Sequence, residues 1–231
     1  MIPLADSVPS SRTPWVSYTI LAACVAVWLL EVATGGGRSP LIFAFGAIPL
    51  EVLHGIDLPP RIPMPVEATL VTSMFLHGSW MHLIGNMLYL WIFADNVEDA
   101  MGHFRFALFY LTCGVGAALT HILLSPAASR VPMVGASGAI SGVLGAYALL
   151  YPYARVRTLV VFGFFWDIIL VPAWILLGLW FLMQTFSTLG SLGGHRGGVA
   201  FAAHFGGFLL GMALVGLFKR REVPFGGGRG Y

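Results

Sequence analysis

Long apolar runs, broken by short polar or glycine- and proline-rich stretches, dominate the pattern along the chain. A helix needs roughly 20 mostly apolar residues to cross a bilayer, and the first qualifying run is about 15–34, "WVSYTILAACVAVWLLEVAT". Glu31 lies close enough to its end to snorkel to the interface. Further runs cover about 79–100, 104–124 and 134–152; a fifth lies within 159–187, interrupted by Asp167 and Pro172, and a sixth covers about 198–218. Between the first two, about 35–75 reads as a long connection ("GGGRSP", "DLPPRIPMP") whose apolar middle, "LIFAFGAIPLEVL", is too short to span. Loops of this length are uncommon, and this one is expected to be partly buried in the membrane interface. The pattern predicts an all-α membrane protein with six transmembrane helices. It comprises a short tail over 1–14, a six-helix core over 15–218 and a basic, glycine-rich tail over 219–231.

Composition agrees with the pattern. Of 231 residues, 58% are hydrophobic and 10% charged, far below the roughly 25% charged residues of a soluble domain. The net charge of +2 and the absence of a basic run interleaved with aromatics argue against nucleic acid as a partner. Cys24 and Cys113 fall inside apolar runs and read as small apolar fillers rather than a disulfide framework. The first run lacks a basic lead-in and a small-residue cleavage site, so it reads as a retained span rather than a signal peptide.

Lys and Arg orient the spans. Arg12, Arg105, Arg155, Arg157, Lys219, Arg220, Arg221 and Arg229 fall on one side, against Arg38, Arg61, Arg130 and Arg196 on the other. Both termini are therefore expected in the cytoplasm, and the even-numbered helices run inward from the outer surface. The compact form with short tails points to a bacterial plasma membrane.

Polar groups within spans are costly and mark function, and here they share a level. His77 precedes the second helix, and His82 and Asn86 lie in its first two turns. Ser137 begins the fourth helix, in "MVGASGAISGVLGAY", and His204 lies in the second turn of the sixth. At ~1.5 Å per residue, each sits about 5–12 Å from the outer end of its helix. A serine becomes a nucleophile when a base takes its proton, and histidine is the usual base. Acyl transfer also needs donors for the developing oxyanion. His82 and Asn86, four apart on one helical face, can both donate, as can free backbone amides at the start of the fourth helix. Asp95, Glu98 and Asp99 lie at the inner end of the second helix, so a Ser–His dyad is expected rather than a triad.

Simpler readings apply to other residues. Taken alone, Ser141 is expected to bond back to a carbonyl one turn earlier, and His103, His121 and His195 read as packing residues. His77 and His82 are about 140° apart on a helix and lack further ligands at that depth, which argues against a metal site. Gly138 and Gly142, then Gly207 and Gly211, place small residues four apart and let helices approach closely. Close contact of the fourth and sixth helices would bring Ser137 to His204.

"HGSWMHLIGN" (His77 to Asn86), "GASG" (Gly135 to Gly138) and "AHFGGFLLG" (Ala203 to Gly211) resemble, in order and spacing, the signature set of the rhomboid family of intramembrane serine proteases. The resemblance covers about 15–218 and implies Ser137 as nucleophile and His204 as general base and acid. His82, Asn86 and the Ser137 backbone N–H would form the oxyanion hole. His77, Gly135, Gly138, Ser141, Gly207 and Gly211 would support them. It implies no metal and no cofactor, and single-pass transmembrane proteins as substrates, cut near the outer end of the segment after a small residue. The first connection would be the family's membrane-embedded loop and the fifth helix its lateral gate. The chain departs from many relatives in two ways. Ser141 stands where an aromatic residue often stacks on the catalytic histidine, and could hydrogen-bond His204 or leave its ring less well oriented. No Trp-Arg pair occurs between 35 and 75. The rival functions are an inactive rhomboid-like protein that binds membrane clients, and a six-helix channel or transporter. The first typically lacks the nucleophile or the base, and the second often carries internal repeats; this chain keeps both groups and shows no repeat.

Overall fold

In a computed structural model of the chain, residues 1–61, 64–191 and 201–226 are described. His195, Arg196, Arg229, the first residues of the sixth apolar run and the end of the C-terminal tail lie outside them. The apolar runs become helices α1 (Trp15–Ala33), α5 (Trp80–Met101), α6 (His103–Leu124), α7 (Ser137–Leu150), α8 (Ala173–Ser191) and α9 (Phe201–Phe218). Helices α1, α6 and α9 are each long and apolar enough to cross a membrane, with mean hydropathies of 2.0, 1.8 and 1.8. Helices α7 and α8 are shorter apolar helices, and α5 carries more polar residues.

The first connection is more structured than a loop. It holds the short helices α2 (Pro40–Phe45), α3 (Pro49–His54) and α4 (Thr69–Thr72). Proline opens both α2 and α3, where a missing N–H costs nothing. Ala47 pairs with Met133 just ahead of α7, which stitches this connection to the α6–α7 loop.

The all-α expectation needs correction at 155–172. These residues, of which 159–172 were expected to fall within the fifth span, form strands β2 (Arg155–Phe162) and β3 (Phe165–Pro172), and strand β1 (Ile2–Ala5) pairs with β2 to complete a three-stranded antiparallel sheet. "RVRTLVVF" and "FWDIILVP" are rich in β-branched and aromatic residues that favour a pleated surface. Gly163, at φ +60°, makes the two-residue turn between them. Asp167 is therefore a strand residue opposite Val160, and α8 starts only after Pro172.

Helix α7 is the centre of the bundle. Each residue from Gly138 to Tyr147 is buried, as expected of a helix apolar on all sides. Its partner is α9, and the seam is made of glycine. A Cβ on Gly207 would collide with the Gly138 carbonyl, and one on Gly211 with the Gly142 carbonyl. The small residues let two backbones touch, a packing that membrane helices use without a hydrophobic drive between them.

The end opposite Ser137 is tied by ions and caps. The first amides of α1 have no partner in their own helix, and Glu98 of α5 accepts from Val16 N–H (3.0 Å) and Ser17 N–H (2.8 Å). A carboxylate at a helix N-terminus contributes about 0.3–1 kcal/mol, rising to ~2 kcal/mol when partly buried. His103 pairs with the same carboxylate at 2.6 Å, and Asp99 accepts from Ser11 and lies 3.6 Å from Arg220. Glu98 and Asp99 thus hold these helix ends together.

Asp6, just after β1, receives the hydroxyl of Tyr147 from the middle of the buried helix. Burial pushes its carboxyl up to about 6, with Asp95 adding to the shift and the Tyr147 hydrogen bond opposing it. The native state therefore holds a proton that the unfolded chain releases near its ordinary value of 3.8. Stability from this group is full below that value and is lost as pH rises to about 6. Thermal unfolding in detergent should show this decline over that window, and Asp6→Asn should flatten it. An unchanged profile in the variant would refute the assignment.

Candidate active site

Three helices bring together polar residues that lie far apart in the sequence. Ser137 is the first residue of α7, where the chain arrives through Gly135 at φ +122°. That conformation is open to glycine and rarely to others. A Cβ there would also stand 2.6 Å from Nε2 of His82, so Gly135 lets the imidazole lie against the start of the helix. Gly135 N–H donates to the Ser73 carbonyl at 2.8 Å, fixing the approach. The first backbone bond of α7 is Ile140 N–H to the Ala136 carbonyl, so the amides of Ser137, Gly138 and Ala139 precede the ladder.

His204 reaches Ser137 across the glycine seam. Its Nε2 lies 2.7 Å from Ser137 Oγ. Its Nδ1 lies 2.9 Å from Oε1 of Gln184 on α8. His204 and Gln184 are both buried.

His82 and Asn86 come from the start of α5, whose N-cap Ser79 accepts from His82 N–H at 3.2 Å. Gly78 N–H donates to His82 Nδ1 at 3.4 Å, which leaves the ring proton on Nε2, beside Gly135. The Nδ2 of Asn86 is buried without a partner, and such a group calls for an explanation. It lines a cavity of about 690 Å³ together with His82, Ser137 and His204. The cavity wall therefore brings the Ser137 hydroxyl and the His204 imidazole together with the side chains of His82 and Asn86.

His77 is not in the cavity wall. It is fully buried, with its ring edge-on to His82 at 5.2 Å, and burial pushes its imidazole down to about 4, so it is neutral. Its backbone N–H donates to Glu31 at 3.1 Å. Glu31 was expected to snorkel; instead it is enclosed at 0% exposure at the end of α1. It has an amide to bind there, and the protein rather than the interface supplies the partner. Ser141 does not reach His204. Its Oγ donates to the Ser137 carbonyl at 2.6 Å, the back-bond expected of an isolated serine. The ring neighbours of His204 are Trp180 at 6.0 Å and Phe201 at 6.5 Å. His121, read as a packing residue, lies on the cavity wall, whereas His103 sits at the far end of the bundle with Glu98. Cys24 and Cys113 are free, buried thiols.

Gln184 and Trp180 were missed by sequence reasoning. The available signal was one amide in the apolar run "AWILLGLWFLMQTF" with a tryptophan one turn before it, which places both on one face.

Comparison with known proteins places the chain in a family. A family model described as the Rhomboid domain matches residues 67–221. The chain is 32% identical over 209 residues to "Rhomboid protease GluP" of Bacillus subtilis, covering 90% of this chain and 37% of that protein. It is 32% identical over 163 residues to "Rhomboid protein 1, mitochondrial" of Saccharomyces cerevisiae, covering 68% of this chain and 43% of that protein. A third relative, "Rhomboid-like protein 11, chloroplastic" of Arabidopsis thaliana, is 40% identical over 86 residues, covering 37% of this chain and 30% of that protein. The chain thus spans well under half the length of each of these relatives. With its apolar helices and this match over most of its length, the chain belongs to the rhomboid family and is an integral membrane protein.

Proposed function

We propose that the chain is an intramembrane serine endopeptidase working through a Ser137–His204 dyad. The observation that carries this reading is the 2.7 Å contact between Ser137 Oγ and His204 Nε2 on the wall of a cavity that also holds the unpartnered Asn86 amide. Ser137 Oγ attacks the scissile carbonyl as Nε2 takes its proton. The oxyanion is received by His82 Nε2–H, Asn86 Nδ2–H and the Ser137 backbone N–H. The imidazolium then protonates the departing amine, and water, deprotonated by the same nitrogen, releases the acyl group. Gly135 and the Gly138, Gly142, Gly207 and Gly211 seam set the geometry.

Six membrane-crossing helices, α1 and α5 to α9, follow from this reading, with the 35–75 connection lying in the membrane interface. Both termini face the cytoplasm, the cavity opens toward the outer side, and the host membrane is a bacterial plasma membrane. Substrates are single-pass transmembrane proteins cut near the outer end of the segment.

The test is cleavage of a model single-pass substrate by the purified full chain in liposomes. Hydrolysis that survives EDTA is expected; loss on chelation, or no hydrolysis with retained substrate binding, would replace this reading by a metal enzyme or a client-binding protein. Asn86→Ala should lower turnover by ~10²–10³-fold, the usual cost of one oxyanion donor. Steady-state kinetics would show an unchanged rate if Asn86 faces no charge.

A further inference from the structure

We propose that Gln184 is a positioning residue for this reaction. Its side-chain carbonyl accepts Nδ1–H of His204 and holds the imidazole in the tautomer that leaves Nε2 free to take the Ser137 proton. The inference rests on the Ser137–His204 reading above and adds a third member, from α8.

A neutral imidazole carries one N–H. If that proton sits on Nε2, the nitrogen facing Ser137 can donate but cannot accept, and the serine stays protonated. An Nδ1–H buried in apolar surroundings costs free energy unless it is bonded. Gln184 Oε1 stands at 2.9 Å as its acceptor. The hydroxyls next to Gln184 on α8 bond along the helix: Thr185 donates to the Phe181 carbonyl and Thr188 to the Gln184 carbonyl. Gln184 instead spends its side chain on another helix, from a position with 7% exposure. Trp180, one turn earlier, lies 6.0 Å from the same ring at 38°. One face of α8 therefore touches His204 at both its edge and its ring.

The acceptor is uncharged. It selects the tautomer and the ring angle but adds little charge compensation for the imidazolium, so its removal costs less than losing a buried carboxylate partner. Gln184→Met, of similar volume with no acceptor oxygen, should lower kcat by roughly ten- to hundredfold with KM unchanged. Gln184→Glu, which retains the acceptor, should keep kcat close to that of the unaltered chain. A packing role alone would not separate these two variants.

A second measurement is independent of cleavage. In the full chain labelled with ¹⁵N-histidine, the His204 signals, assigned by comparison with His204→Ala, should show the proton on Nδ1. In Gln184→Met they should move toward a mixture of tautomers. The proposal fails if Gln184→Met turns over like the unaltered chain, if Gln184→Glu is as impaired as Gln184→Met, or if the unaltered chain carries its proton on Nε2. Absence of cleavage by the unaltered chain would strike the dyad reading itself, while the ¹⁵N signals would still decide the Gln184 contact.

Discussion

Ser137→Ala should abolish cleavage of a single-pass substrate, with turnover falling by about 10⁴-fold or more, while the protein stays folded. The expectation follows from chemistry that has no substitute nearby. Ser141, the next hydroxyl on α7, donates to the Ser137 carbonyl and makes no contact with the base. His204→Ala should cost about as much, because a nucleophile without its base is nearly inert and the two act as one unit. The double variant should therefore be no worse than either single one. Both substitutions shorten side chains that face a cavity, so thermal stability should change little. Turnover in liposomes and labelling of Ser137 by a fluorophosphonate check this together: label and cleavage should vanish in both variants. Cleavage by Ser137→Ala at the unaltered rate would overturn the mechanism.

The proposed machinery is assembled almost wholly from neutral groups, which suits its place. A hydroxyl, imidazoles, a carboxamide and backbone amides can be buried with hydrogen bonds alone, whereas a buried ion costs several kcal/mol. Glu31 is the nearby carboxyl group, and it is held by the backbone of His77 rather than placed against the dyad. Its effect reaches the site indirectly: the His77 ring packs edge-on against His82.

What the sequence disclosed follows from how local each signal is. The helices α1, α5, α6 and α7 begin and end within about three residues of their apolar runs, because a bilayer-length run of apolar residues has few other stable forms. Ser137, His204, His82 and Asn86 could be placed at one depth by counting residues along helices. The glycine spacing also pointed to the α7–α9 contact. The β2–β3 hairpin was hidden because an apolar run rich in Val, Ile and Phe reads alike as a membrane helix or a strand; the decision lay with Gly163 and with pairing to β1, more than 150 residues away. Gln184 was hidden for a different reason. Its importance depends on which helix faces α9, a tertiary fact that no spacing within α8 carries. Glu31 was misjudged on the same ground, since a carboxylate near a helix end snorkels only if no partner waits for it inside.

Gly207→Ala should cost turnover by about 10²-fold and lower stability by about 1–3 kcal/mol, a large effect for one methyl group. The added Cβ would meet the carbonyl oxygen of Gly138 and, at 3.3 Å, the Cβ of Ala117. The first is backbone in a buried helix, so no flexible side chain can swing aside. The two helices must separate instead, and overpacking of this kind typically costs about 1–3 kcal/mol. The separation acts where it matters most, because Gly138 follows Ser137 and Gly207 lies one turn beyond His204. A displacement of about 1 Å between reacting groups can cost ~10² in rate, and the 2.7 Å contact has little room to lengthen. Gly178→Ala is the matched control. A Cβ on Gly178 meets nothing within 4 Å, and alanine is favoured over glycine within a helix by up to about 1 kcal/mol. That variant should unfold at the same or a higher temperature and cleave normally. Thermal unfolding and kcat measured on both variants decide the matter: if Gly207→Ala matches Gly178→Ala in both, α7 and α9 are not in backbone contact, and the glycine seam does not set the Ser137–His204 distance.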